Sequence, residues 1–211
     1  FILIGPADDP AGIKGSRNAT DAFRRIAQAG NQGKAIFVSR GDGSGTEALE
    51  LRIWARIGFA YPNATRTPAL SASKWYLQAG QGMASTIKIT NEKLGYTISD
   101  RASFAKLVSQ MGSSLRLSVL FEGDSILLNP YGLILLNPSK YPNINNRLAE
   151  KFFLFMVSAE GQGLIANYTL GGQQLFHPVF GNPESIGLPS EKIEVDYWIE
   201  KLRTNGMEPP E

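Results

Sequence analysis

Cysteine is absent from the 211 residues, and histidine occurs once, at His177. The first absence excludes disulfides, thiolate metal sites and cysteine nucleophiles, and leaves the redox compartment undetermined. The second excludes a histidine-rich metal site. A Ser-His-Asp triad would have to use His177, which stands in the apolar stretch "LFHPVF" and reads as structural, and no G-x-S-x-G elbow accompanies it. No run of about 18 apolar residues is present, so the sequence offers no membrane-spanning helix. A basic block is missing too: 21 Lys and Arg against 19 Asp and Glu are scattered along the chain, with a net charge of +2. That balance argues against a nucleic-acid partner. The chain begins without an initiator Met or signal segment, directly on the apolar strand pattern Phe1-Ile2-Leu3-Ile4-Gly5-Pro6, as expected of a processed or trimmed chain.

What is present is an ordinary globular composition, 43% hydrophobic and 19% charged, long enough for one large domain or two small lobes. Sequons at Asn18, Asn63 and Asn167 are weak support for export. Two segments echo each other, "FILIGPADDP" at 1–10 and "YGLILLNPSKYP" at 131–142: each is an apolar strand ending in a Pro turn. Between them the pattern alternates. Helical spacing covers 20–29, with Asn18 or Thr20 as the cap, and then 47–57, 85–93 and 102–111; strands are expected at 35–38, 96–98 and 117–121, and 58–74 reads as a loop. A helical pair follows at 146–157 and 160–168. Short strands alternating with ten-residue helices predict an α/β fold with a largely parallel sheet. The carboxylates Glu122 and Asp124 in "FEGDSILLNP" are too close in sequence for an acid/base pair and read as a solvated turn.

The stretch "FVSRGDGSGTEALELRIW", residues 37–54, sets a buried strand, a glycine-rich turn and a helix in succession. That order brings the free N–H groups of a helix start to the carboxyl edge of a sheet, where α/β proteins bind ligands and where an anion is favoured. Gly41, Gly43 and Gly45 allow close backbone approach; Ser39, Ser44 and Thr46 offer hydroxyls, and Arg40 offers a permanent charge with five N–H donors. A Walker A loop would need a Lys that "GDGSGT" lacks, and Thr46 stands where a G-x-G-x-x-G fingerprint requires its last glycine. An ordinary turn with Ser44 as N-cap stands beside the anion-cradle reading. A second stretch, "QAGQGMASTIKITNEK" at 78–93, again places glycines, Gly80 and Gly82, before a helix, adding Gln81 and Met83 to the candidates.

These residues resemble the tungstate-binding proteins of ABC-type importers, the TupA-like branch of the type II periplasmic-binding-protein superfamily. The resemblance rests on "FILIGPADDPAGIKG", "FVSRGDGSGTEALEL", "WYLQAGQGMASTIKITNEKLGYTISDR", "LFEGDSILLNPYGLILLNP" and "SAEGQGLI", in the family order from residue 1 to about 175. It implies two α/β lobes with mixed, mostly parallel sheets joined by hinge strands, closing on one dehydrated oxyanion, with Arg40 as the positive contact. On that frame residues 1–6 are a hinge strand, 7–130 a complete lobe carrying the anion loop, and 131–211 the second hinge strand with the C-terminal part of the other lobe. That other lobe is incomplete, because family members begin with a further stretch carrying a Thr/Ser-rich turn. The expected ligand is tungstate or molybdate and the expected partner an ABC permease. The implied protein is monomeric, has no cofactor and is not an enzyme. It is periplasmic or extracellular, secreted or lipid-anchored. The expected ligand shell is Ser39, Arg40, Gly41, Ser44, Gly45 and Thr46, joined by Gly80, Gln81, Gly82 and Met83. Three alternatives remain at this level: an adhesion protein presenting Arg40-Gly41-Asp42, a decayed receptor lobe without ligand, and a phosphate-handling enzyme.

Overall fold

The computed structural model describes residues 1–188 and 192–210. The chain divides into two compact units, Phe1–Leu128 and Asn129–Glu211.

The first unit is built on five short strands. β1 (Ile2–Pro6) pairs antiparallel with β4 (Thr97–Ser99) on one side and β5 (Leu117–Phe121) on the other; β2 (Phe37–Ser39) pairs parallel with β3 (Tyr76–Gln78). A parallel bridge between Phe37 and Tyr96 joins the two groups. Val38 N–H donates to Tyr96 O at 2.8 Å and Tyr96 N–H to Ile36 O at 2.7 Å, so the order is β3-β2-β4-β1-β5. Four strands run one way, as the alternating pattern predicts. β1 runs against them from a position between β4 and β5, which makes the sheet mixed.

Every residue of β1 is buried, and alternate side chains serve opposite faces. Leu3 joins a core with Phe23, Phe37, Trp54 and Ile98, whereas Ile2 and Ile4 join Ile87, Phe104 and Leu107. A sheet apolar on both faces needs helices on both. α1 (Ala19–Asn31) and α2 (Gly45–Ala55) supply the first core; α4 (Met83–Lys93) and α5 (Arg101–Met111) supply the second. α1 starts where Asn18 accepts from Asp21 N–H at 2.8 Å, and Asp124 accepts the Ala19 N–H at 2.7 Å. α5 starts where Asp100 accepts from Ser103 N–H at 2.7 Å. In the first core Phe23 and Phe37 meet Trp54 edge-on, with centroids 4.5 and 5.3 Å apart, and Tyr76 stacks on Phe37 at 6.0 Å. Such pairs contribute about 1 kcal/mol each beyond area burial, which fixes β2, β3 and α2 against one another.

The second unit packs α6 (Asn146–Val157), α7 (Ala159–Asn167) and α8 (Lys192–Thr204) with a small hairpin, Thr169–Leu170 against Gln173–Gln174. Its core is Phe153, Leu154, Val157, Trp198 and Leu202, with the Phe153 and Trp198 rings 4.0 Å apart.

Four features differ from the sequence pattern. β3 forms from the short run Tyr76-Leu77-Gln78, too brief to register as a strand beside a long Pro/Asn/Thr loop. Inside that loop a one-turn helix, α3 (Pro68–Ala72), is started by Pro68 at its first position and by Thr67, which accepts from Leu70 N–H at 3.2 Å. α8 was unpredicted; its Trp198 and Leu202, four apart, form its buried stripe. Residues 131–136, expected as a strand, make no ladder among the described residues, and Tyr131, Ile134 and Leu136 are exposed. A strand pattern is realised only where another strand supplies donors and acceptors.

Candidate functional site

Parallel pairing of β2 with β3 delivers both glycine-rich loops to one edge of the sheet. Ala79 N–H donates to Ser39 O at 2.9 Å and Gln81 N–H to Arg40 O at 3.2 Å, so the two loops leave side by side. Gly41 makes this possible: its φ is +62°, and a Cβ there would stand 3.0 Å from Gln78 Cβ. The residues expected from the two motifs therefore form one constellation.

Within it, the start of α2 accounts for its donors unequally. Ser44 Oγ accepts from Glu47 N–H at 3.3 Å, so the ordinary N-cap is present. Asp42 Oδ1 accepts from Ser44 N–H at 3.2 Å. Glu47, at the third helical position, reaches one residue beyond a capping box and takes the Gly43 N–H at 2.6 Å. The amides of Gly45 and Thr46 have no acceptor among the described residues. Cap and open N–H pair coexist, so the two readings of this loop are compatible.

Arg40 lies back against the loop. Its Nη1 donates to Thr46 Oγ1 at 3.2 Å and its Nη2 to Asp42 Oδ2 at 2.5 Å, while Nε is buried and has no partner among the described residues. Burial pushes the Asp42 carboxyl up, but hydrogen bonds from Ser44 and Arg40 outweigh it and hold the group below the usual carboxylate range. Arg40 and Asp42 side chains are only 18% and 21% exposed. They do not project as a free Arg-Gly-Asp tip. Ser39, at the end of β2, is fully buried. Its Oγ lacks a partner in good geometry, yet stands near enough to the Glu50 carboxyl and Tyr76 hydroxyl to influence both. On the second loop, Gly82 caps α4 with no side chain and Met83 opens the helix. Thr86 Oγ1 donates back to Gly82 O at 3.1 Å.

Behind this edge lies a charged network that the motifs do not reveal. Glu50 Oε1, deep in the core, accepts from Trp54 Nε1 at 3.1 Å and from Tyr76 Oη at 2.8 Å. Tyr76 Oη in turn accepts from Arg66 Nε at 2.9 Å, and Arg66 Nη2 pairs with Glu47. Burial pushes the Glu50 carboxyl up to about 7, against the nearby Ser39 hydroxyl and the bonds from Tyr76 and Trp54, which favour the charged form. Burial, followed by the Glu50 charge, also pushes the Tyr76 hydroxyl up. The signal for Arg66 is in α2 itself: Glu47 and Glu50 sit three apart, among Leu49, Leu51, Ile53 and Trp54, and buried carboxylates require donors or a cation.

The remaining candidates do not form a site. His177 is exposed, which corrects the expectation of a structural residue in an apolar setting: it sits outside the Phe153–Trp198 core. Glu122 pairs with Arg101, and Asp124 takes the Ala19 and Ile126 amides, so the two serve different elements. Among the described residues no three His, Asp or Glu side chains converge to hold a metal ion, and no helix is long and apolar enough to cross a membrane. An open depression of about 260 Å³ in the second unit is walled by Phe155, Leu164, Ile165, Tyr168 and Phe176, which offer an anion no charge.

Residues 1–160 match the sequence profile of a PBP (periplasmic-binding-protein) superfamily domain. The chain is 45% identical over 181 residues to a Haloferax volcanii protein named "Putative ABC transporter anion-binding protein", covering 84% of this chain and 48% of that one. It is 35% identical over 182 residues to the tungstate-binding protein TupA of Peptoclostridium acidaminophilum, covering 85% and 57%. The solved tungstate-binding protein TupA of Desulfovibrio alaskensis G20 superposes with a TM-score of 0.66 at 38% identity, covering 84% of this chain and 66% of that one. The chain thus spans about half the length of the curated relatives it matches.

Proposed function

The chain belongs to the periplasmic-binding-protein superfamily, and from that premise we propose that it is a solute-binding protein for a tetrahedral oxyanion, tungstate or molybdate, and not an enzyme. The observation that carries this reading is the adjacency of the two glycine loops around Arg40, with Arg40 Nε and Ser39 Oγ buried and without a hydrogen-bond partner among the described residues. A dianion stripped of water needs a fixed cation and several N–H or O–H donors. Arg40 supplies the charge; the Gly45 and Thr46 amides, Ser39 and Ser44 supply donors, Gly41 gives room, and Gly80, Gln81, Gly82 and Met83 form the neighbouring wall.

On the same reading residues 1–6, which contain β1, act as a hinge strand. Residues 7–130 form one lobe, which carries the oxyanion loop, and the rest belongs to the other. The protein works as a monomer outside the cytoplasm, secreted or lipid-anchored, and hands its ligand to an ABC permease. The names of its relatives, anion binding in one and tungstate binding in others, support that reading. An adhesion role is disfavoured because the Arg40 and Asp42 side chains lie back on the loop, mostly buried, and do not project from a tip.

Calorimetry with tungstate, molybdate, sulfate and phosphate tests the proposal. Heat with the first two, saturating at one anion per chain and stronger than with the others, supports it. No heat with any of the four overturns it.

A further inference from the structure

We propose that Arg66, which lies outside both glycine loops, is a positioning residue of the oxyanion loop, acting through Glu47 on the Gly43 amide. This inference rests on the oxyanion reading of that loop and adds a residue to it.

The geometry is a relay. Glu47 is buried and uses both carboxylate oxygens: Oε2 accepts the Gly43 N–H at 2.6 Å, and Oε1 is paired with Arg66 Nη2. Arg66 is itself tethered, because its Nε donates to Tyr76 Oη at 2.9 Å and Tyr76 Oη donates to Glu50 Oε1 at 2.8 Å. Its guanidinium carbon also lies 5.8 Å from the centre of the Tyr76 ring. The tip of the loop is thereby connected, through one carboxylate and one guanidinium, to the stacked Phe37–Tyr76 pair of the core.

Two physical consequences follow. First, Gly43 has φ +72° and nothing among the described residues within 4 Å of where a Cβ would be, so packing does not fix it and the Glu47 bond is what holds its amide. Loop positions set which way the Gly45 and Thr46 amides face, and donors misplaced by fractions of an ångström lose much of their value. Second, Arg66 cancels the Glu47 charge at the start of the helix that is to receive a dianion. An unpaired carboxylate there would repel the ligand, and it would pull Glu47 toward solvent and away from Gly43. Arg66 has side-chain exposure of 18%, so the fork is screened little by water.

The test uses the chain with Arg66→Met and Arg66→Lys. Three quantities are read in each: exchange of the Gly43 amide by NMR, exchange of the Ile53 amide in the same helix, and tungstate affinity by calorimetry. The expected result for Arg66→Met is Gly43 exchange faster by about tenfold, Ile53 unchanged, and tungstate bound more weakly by about tenfold. Arg66→Lys restores part of both, because the ammonium keeps the charge and loses the fork that reaches Tyr76 and Glu47 together. Should the Met variant not fold, the Lys variant carries the test in the same direction with smaller changes. Unchanged Gly43 exchange, unchanged tungstate affinity, or a loss shared equally by Ile53 overturns the proposal. If the unmodified chain gives no heat with tungstate, the oxyanion reading fails. The relay is then judged by Gly43 alone: faster exchange sustains it and unchanged exchange overturns it.

Discussion

Arg40 donates to the carboxylate of Asp42, two residues further on, at 2.5 Å, and the same carboxylate caps the Ser44 amide at 3.2 Å. One acid therefore shapes the turn and also occupies the Arg40 guanidinium, the cation of the proposed oxyanion site. Replacing it by Asn keeps the acceptor for Ser44 and removes the charge.

Asp42→Asn is expected to fold normally and to bind oxyanion more tightly. The carboxylate and a dianion on the same guanidinium repel one another, and at a partly exposed site relief of about 1 kcal/mol, roughly fivefold in affinity, is a reasonable scale. Calorimetry at low and high salt checks this, with the gain shrinking as salt rises. Weaker binding at both salt concentrations would show that Asp42 serves mainly to aim Arg40.

Glu50 predicts a pH effect of definite sign. Its folded carboxyl titrates at about 7, above the ordinary 4.5. A raised pKa means the folded state binds the proton more tightly. The stability from this group is therefore fully present below the unfolded value, and is lost as pH climbs through about 7. The loss is on the order of 3 kcal/mol. Glu50→Gln mimics the protonated form, so its urea midpoint should exceed that of the unmodified chain at pH 8 and approach it at pH 5. A difference independent of pH would mean that Glu50 does not titrate in this range.

At Gly41 the backbone itself is the prediction. With φ at +62° and Gln78 Cβ only 3.0 Å from a would-be Cβ, Gly41→Ala should lower stability by about 2 kcal/mol in urea unfolding. It should also prise the two glycine loops apart, exposing the Gln81 amide that now donates to Arg40 O at 3.2 Å. Gly43→Ala, with positive φ but open space around it, should be milder. Equal effects at both positions would remove the role assigned to the Gly41–Gln78 contact.

Much of this arrangement is legible in the sequence where the signal is local. Caps at Asn18 and Ser44 are short-range chemistry, and the helices they start fall within two residues of their expected positions. The strand, glycine-rich turn and helix of residues 37–55 are readable because Arg40, the glycines and the strand before them are contiguous. Non-local features were not readable. Nothing in "YLQ" announces that it pairs parallel with "FVS", and that pairing is what brings the two loops together. Arg66 is 19 residues from Glu47 and is tied to it only by the fold. Residues 131–136 carry a strong strand pattern, but the ladder such a pattern requires comes from other strands and not from the pattern.

Arg40 is proposed as the charge that holds an oxyanion. The most direct measurement is a tungstate titration of the chain beside its Arg40→Ala variant, with melting temperatures recorded for both. The account predicts that the unmodified chain binds one tungstate and that the variant binds it at least about a hundredfold more weakly, as expected for an uncompensated charge costing about 3 kcal/mol or more. The melting temperatures without ligand should be nearly the same. Affinity left intact by the variant, with the melting temperature lowered by many degrees, would make Arg40 a structural residue and contradict the account.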